Sequence, residues 1–272
     1  MGVCICEELM NLTVLVDNNC KMGYPLTAET GLSFLLENDY HKILFDCGYS
    51  DAFIKNAYKL NIDLADLNEI VLSHGHVDHT AGLLKLDSIY RKMLNAGISL
   101  NQKTILAHPD VFEPKLNEKA EDIGFPGDSA KLCDIFDVEF SSNPKWITPK
   151  LLYSGEIPKF YNTDYKYKDE TVLIFKASKG LVIITGCAHV SIPNIVHYTQ
   201  KLTDEPRIDT FIGGVYLQNK SEYKIRELGI YLRNLNIQNF YPCHCCDLNA
   251  KIILSEYVKL KEVYSGLSLE FS

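Results

Sequence analysis

The 272-residue chain holds a single tryptophan, Trp146, and no apolar run of the roughly 18 residues that a membrane-spanning helix requires. It has no surplus of positive charge. Lys and Arg number 27 against 35 Asp and Glu, a net charge of −8, which argues against nucleic acid as a partner. It lacks the basic start of a signal peptide, because Met1-Gly2-Val3-Cys4-Ile5-Cys6-Glu7-Glu8 carries acidic residues instead. Nor is there a disulfide framework: the nine cysteines are odd in number and follow no framework spacing. No internal repeat is evident. Together these absences point to a cytoplasmic protein with a small-molecule substrate, not a membrane or nucleic-acid partner. In a reducing compartment Cys4 and Cys6, and the Cys243, Cys245 and Cys246 group around His244, are expected as free thiols or metal neighbours.

Hydrophobic residues make up 46% and charged residues 23%, the balance of a globular chain able to bury a sizeable core. The distinctive content sits in one stretch, Leu72-Ser73-His74-Gly75-His76-Val77-Asp78-His79-Thr80-Ala81-Gly82. Three of the eight histidines and one aspartate fall within six positions there. The apolar run Glu69-Ile70-Val71-Leu72 before it reads as a buried strand, and Gly82-Leu83-Leu84-Lys85-Leu86 after it opens a helix. A strand end leading into a helix is a usual place for ligands in α/β proteins. His74 and His76, two apart on extended chain, point to one side. Asp78 and His79 follow where the chain turns, and so can reach an adjacent site. Imidazole and carboxylate are both zinc ligands. Two metals about 3.5–4 Å apart form a clamp for displacement at phosphorus or carbon.

Hydrophobic patterning places early strands at 11–17, 31–37 and 42–46, the last two joined as a hairpin, then a helix over 51–60. Strands follow at 69–72 and 103–108. The stretch from 110 to about 167 is weakly periodic and holds half the prolines, Pro114, Pro126, Pro144, Pro149 and Pro158. It reads as an irregular insert, partly ordered as a cap over the site. Regular alternation then returns. Strands are expected at 171–175, 181–185 and 210–216, and helices from Pro193 to Lys201 and from a Ser221 cap to Asn234. A last helix over 248–261 and a strand at 267–271 complete the chain.

Two further histidines follow apolar strands, in Thr185-Gly186-Cys187-Ala188-His189 and in Tyr241-Pro242-Cys243-His244-Cys245-Cys246. Given the first cluster, both are expected to complete the metal site. His108 ends a strand as well, and reads equally as a residue behind the site or a structural one. His41 and His197 fall on a loop and a helical face, positions of ordinary surface or core histidines.

The His-x-His-x-Asp-His spacing resembles the signature of the metallo-β-lactamase superfamily. The resemblance implies an α/β fold, a four-layer αββα sandwich of two β-sheets between helices, here a single domain over 1–272. Within the superfamily the chain resembles the dihydropterin ribofuranosyl-aminobenzene phosphate synthase-like branch. The likeness is carried by Val14-Leu15-Val16-Asp17-Asn18-Asn19, Ile43-Leu44-Phe45-Asp46, Gly155-Glu156-Ile157-Pro158, Thr185-Gly186-Cys187-Ala188-His189, Ile212-Gly213-Gly214 and Pro242-Cys243-His244-Cys245. It implies two divalent ions, zinc first and manganese or iron next. It implies His74 and His76 at one metal, Asp78 and His79 at the other, and His189 and His244 as the further ligands. As a ligand, Asp78 is also placed to orient the attacking water or take its proton.

Three departures from the pattern stand out. Cys187 follows Thr185-Gly186 where many members carry a bridging aspartate. Tyr216 stands where the branch usually has histidine, and the residues around Cys243 are not the usual small ones. Cys187, Tyr216 and Asn19 are therefore candidate substrate contacts. The expected activity is hydrolysis, by metal-activated water, of a phosphoester or other ester-like small molecule, a pterin-related phosphate among them. Two alternatives share the fold. One is a di-iron redox protein, whose flavodiiron form typically has glutamate at the position of His76. The other is a metal-dependent binding protein without turnover.

Overall fold

The computed structural model describes residues 9–272, so the Cys4 and Cys6 pair lies outside the described residues. A hairpin-rich first half builds one sheet. β1 (Met10–Val16), β2 (Ser33–Glu37) and β3 (Lys42–Phe45) run antiparallel in turn. β4 (Glu69–Val71), β5 (Lys103–Ala107) and β6 (Phe136–Phe140) then add in parallel. The second sheet starts with β7 (Lys145–Trp146), β8 (Leu151–Tyr153), β9 (Val172–Ala177) and β10 (Gly180–Thr185), all antiparallel. β11 (Ile208–Gly214) and β12 (Asn239–Cys243) continue it in parallel. The last strand, β13 (Ser268–Phe271), returns to the first sheet beside β1. The orders are β13-β1-β2-β3-β4-β5-β6 and β12-β11-β10-β9-β8-β7.

Alternate residues of the strands face two different cores. Leu12, Val14, Phe34, Phe45, Leu173, Phe175, Val182 and Ile184 pack between the sheets. Their neighbours Leu15, Leu35, Leu44 and Ile70 face α1 (Ala52–Lys59) and α3 (Leu83–Asn95). Ile174, Leu181, Ile183 and Phe211 face α4 (Ile192–Thr203), α5 (Glu222–Leu235) and α6 (Leu248–Leu254). Strands covered on both faces read as continuous apolar runs, as Leu181–Thr185 does. The result is the expected αββα sandwich, with helices outside and two sheets within.

The stretch from 110 to 167 departs from its expected irregularity. It contains β6, β7 and β8, which extend one edge of each sheet. These strands are two to five residues long and interrupted by Pro144 and Pro149, too short to show a period. The last helix is also shorter than expected. It stops at Leu254, and the chain beyond pairs Leu260 with Phe240 while Lys261 N–H donates to the Phe240 carbonyl at 2.9 Å. Tyr257, Val258 and Leu260 still pack on the core, so their apolar spacing imitates a helix without forming one.

Candidate metal centre

The residues singled out by sequence come together at the C-terminal ends of strands from both sheets, the usual ligand edge of parallel strands. β4 delivers Ser73 to His76, and the single-turn helix α2 (Val77–Thr80) carries Asp78 and His79. β10 delivers Cys187 to His189, and β12 delivers His244. The His74 ring centroid lies 4.6 Å from that of His76, 4.3 Å from His79 and 4.7 Å from His189, and His79 lies 4.8 Å from His244.

Hydrogen bonds fix which nitrogen of each ring faces inward. Asp46 Oδ2 stands 2.7 Å from His79 Nδ1, and Asn18 Oδ1 stands 3.1 Å from His244 Nδ1. Both partners accept, so both Nδ1 atoms carry the proton and both Nε2 atoms present lone pairs. Those Nε2 atoms face each other at 3.2 Å, with Asp78 Oδ2 3.3 Å from that of His244. Two imidazole nitrogens and a carboxylate so close form a pocket of donors suited to a cation. The same holds next door. Ser73 Oγ gives its proton to Asp46 Oδ2 at 2.6 Å, so it accepts from His74 Nδ1 at 2.9 Å, which turns His74 Nε2 toward His76 Nδ1 at 3.0 Å. Glu170 accepts from the backbone N–H and Nδ1 of His189, at 2.8 and 3.2 Å, freeing its Nε2. Histidine ligands held through their other nitrogen are the usual arrangement of a metal site. The residues therefore fit divalent ions. His74, Cys187 and His189 form one candidate group, and His79, Cys187 and His244 a second.

Electrostatics favour neutral His74 and His76 and an ionised Asp78, whereas at His79 burial is outweighed by Asp46 and Asp78, which raise its pKa above the ordinary value. Burial, then the neighbouring imidazoles, push His74 well below its ordinary pKa. Burial and His189 take His76 down to about 3. Burial opposes the charge on Asp78, but His79 and His244 outweigh it and hold the carboxyl below the usual carboxylate range. Several site residues adopt left-handed backbone: Asp46 (φ 59°), Ala188 (φ 60°), Tyr216 (φ 50°) and His244 (φ 52°). Such strain persists where surrounding contacts over-determine it, and it clusters at functional sites.

A cavity of about 1270 Å³ opens beside the cluster, lined by His76, Tyr161, Tyr165, His189, Tyr216 and Lys220 among others. The Tyr165 ring stacks on His189, 4.7 Å between centroids at 13°. Its hydroxyl donates to Asp169 Oδ1 at 2.9 Å, while Asp169 Oδ2 accepts the Gly75 N–H at 2.8 Å. Tyr216 lies 4.4 Å from His189, and the Lys220 ammonium sits 4.1 Å over the Tyr216 ring. Asn19 is placed one step away. Its amide donates to Asp17 Oδ2 at 2.9 Å, and its neighbour Asn18 meets His244. His108 lies apart from the cluster, where its Nδ1 accepts the Asp110 N–H at 3.1 Å.

Asp46, Ser73, Asn18, Glu170 and Asp169 carry the second half of this geometry and were not singled out from sequence. Asp46 and Glu170 had a weak signal, an acidic residue at the edge of a buried strand. Asn18 and Asp46 lay within stretches that carry the resemblance but had no role assigned, and Asp169 had no signal.

The His-rich strand end, the two-sheet sandwich and the match of residues 26–94 to the metallo-beta-lactamase superfamily profile agree. The chain thus resembles the metallo-β-lactamase superfamily in one segment of sequence and in its fold. It is 29% identical to an uncharacterised protein of Methanocaldococcus jannaschii, covering 90% of this chain and 94% of that protein. To that organism's 7,8-dihydropterin-6-methyl-4-(beta-D-ribofuranosyl)-aminobenzene-5'-phosphate synthase it is 25% identical, covering 96% and 97%. A solved metal-dependent hydrolase of the superfamily matches with 27% identity and a TM-score of 0.79, covering 97% of this chain and 99% of that one. Among the described residues no helix is long and apolar enough to cross a membrane.

Proposed function

We propose that this chain is a metallo-β-lactamase superfamily member, a metal-dependent hydrolase of a small-molecule phosphoester whose organic part is flat and aromatic. The observation that carries the reading is the convergence of His79 and His244, whose Nε2 atoms stand 3.2 Å apart with Asp78 Oδ2 3.3 Å from that of His244. His74, His76 and His189 would hold one divalent ion, and Asp78, His79 and His244 another. Such ions supply Lewis-acid polarisation of the ester oxygen and a water nucleophilic at neutral pH. The protein's own groups do the rest. Asp78, ionised and 29% exposed at its side chain, orients the attacking water and accepts its proton. Tyr165 and Tyr216, beside His189, offer faces on which an aromatic ring stacks. Lys220, over one face of the Tyr216 ring, places positive charge beside it for an anionic group.

The synthase relative supports a second reading, in which an organic nucleophile replaces water. The cavity's volume of about 1270 Å³ has room for both reactants. Screening against phosphodiesters, phosphomonoesters and lactones, with metal analysis, tests the proposal. His76→Ala and Asp78→Ala are expected to abolish turnover of whichever ester the wild type cleaves. Wild-type rates in either variant would overturn it.

A further inference from the structure

One residue belongs to both candidate groups. Cys187 Sγ lies within 4.8 Å of the inward nitrogens of His74 and His189, and equally of those of His79 and His244. Ligand atoms around one tetrahedral zinc stand about 3.3–3.6 Å apart, given bonds of about 2.0–2.3 Å, so a modest inward shift brings this sulfur into either set. We propose that the Cys187 thiolate is the ligand shared by the two metal positions. This rests on the metal-site reading above.

The backbone is built to hold that sulfur in place. Gly186 presses on the network that orients His74: a Cβ there would lie 2.0 Å from Ser73 Oγ and 3.0 Å from Asp46 Oδ2. From the other side, a Cβ on Gly214 would lie 2.8 Å from Cys187 Cα. Both neighbours must be glycine for Cys187 to reach this depth, where it is 4% exposed. A side chain needed only to fill apolar core would not require two glycines around it.

Cys245 is the competing sulfur, 3.0 Å from that of Cys187. Its surroundings assign it another task. Cys245 Sγ accepts the Tyr216 N–H at 3.0 Å, and its carbonyl accepts the N–H groups of Leu217 and Gln218 at 2.9 and 3.0 Å. It ties down the turn that carries Tyr216, and its sulfur accepts the Cys187 S–H while Cys187 is protonated. It belongs to neither candidate group. Cys245 is thus a positioning residue, and Cys187 the ligand.

A shared thiolate has a chemical consequence. Soft sulfur favours zinc or cobalt over manganese, whereas a carboxylate suits the harder ion. Cys187→Asp should therefore shift the preference between zinc and manganese toward manganese.

The experiment is a Co²⁺ titration of the reduced full chain, followed by absorbance and by metal content after desalting. The wild type is expected to take up cobalt and show a sulfur-to-cobalt charge-transfer band. Cys187→Ser should lose the band. Cys187→Asp should lose it too, yet retain two equivalents of metal, which shows that the fold survives. Cys245→Ser should keep the band. Cobalt uptake by the wild type without the band would overturn the thiolate and leave the metal-site reading standing. A band that survives in Cys187→Ser, or disappears in Cys245→Ser alone, would equally overturn it. Absence of any cobalt uptake by the wild type would remove the underlying metal-site reading, and this inference with it.

Discussion

Asp46 Oδ2 stands 2.7 Å from His79 Nδ1, with both side chains fully buried. Asp46 also accepts from Ser73 N at 2.7 Å through its other oxygen, so its position is fixed at both ends. This one carboxylate decides which nitrogen His79 offers to a metal. Asp46→Asn keeps the shape, and asparagine tolerates the left-handed backbone at φ 59°. Its amide can donate to Nδ1, which would turn an Nε2 proton into the site. Metal affinity should fall about 10–100-fold, the usual effect of losing such a partner. Competition against a chromophoric chelator measures it, and an unchanged affinity would refute this role for Asp46.

Lys115 and Asp169 form a buried ion pair of 3.3 Å, with side chains 1% and 0% exposed. Lys115 Nζ also donates to the carbonyls of Asp110 and Glu113 at 2.6 and 2.9 Å. The pair fastens the 110–124 segment to the loop between His74 and His76, through the Gly75 N–H on Asp169. Lys115→Met leaves Asp169 charged and without its cation. Breaking a buried pair on one side costs about 3–5 kcal/mol. For a chain of this size the thermal midpoint should fall by roughly 6–15 °C. Calorimetry reads this directly, and a shift under about 2 °C would mean that the lysine stabilises little.

The four-ligand cluster was legible in the sequence because its spacing is local: two histidines on extended chain, then a turn. The strand ends at His189 and His244 were legible because long apolar runs such as Leu181–Ile184 announce themselves. Asn18 and Asp169 were not, because nothing near Asn18 in the chain hints at His244, 226 positions away. Short strands such as Lys145–Trp146 escaped for a different reason: two residues carry no period. The helix expected to reach Lys261 failed because apolar spacing reports burial, and an irregular segment packed on a core can show the same spacing.

Gly75 separates His74 from His76, and its role is steric. A Cβ there would lie 2.1 Å from the Val111 carbonyl oxygen and 3.2 Å from Asp169 Oδ2. The Val111 backbone cannot yield as a side chain tip would, so Gly75→Ala must push the His74–His76 loop outward. Overpacking of this kind costs about 1–3 kcal/mol. The displacement also separates His74 from His76. Stability and metal uptake should therefore fall together, as read by urea unfolding and metal content. Loss of stability with full metal uptake would show that the loop adapts without moving its ligands.

Glu69 begins β4, with Oε2 buried and without a hydrogen-bond partner among the described residues. Burial raises its pKa, and Lys145 and His41 only partly offset this. A carboxyl with a raised pKa in the folded state favours folding while it is protonated. That contribution is complete below the unfolded value of about 4.3 and is lost as pH rises through the folded value. Glu69→Gln removes the charge and with it this dependence. The variant should be more stable than the wild type at pH 8, with the advantage shrinking as pH falls toward about 4.3. Urea unfolding of both proteins at matched metal content and a series of pH values gives the difference. An advantage that grows on acidification would reverse the sign and show that Glu69 is stabilised as a carboxylate.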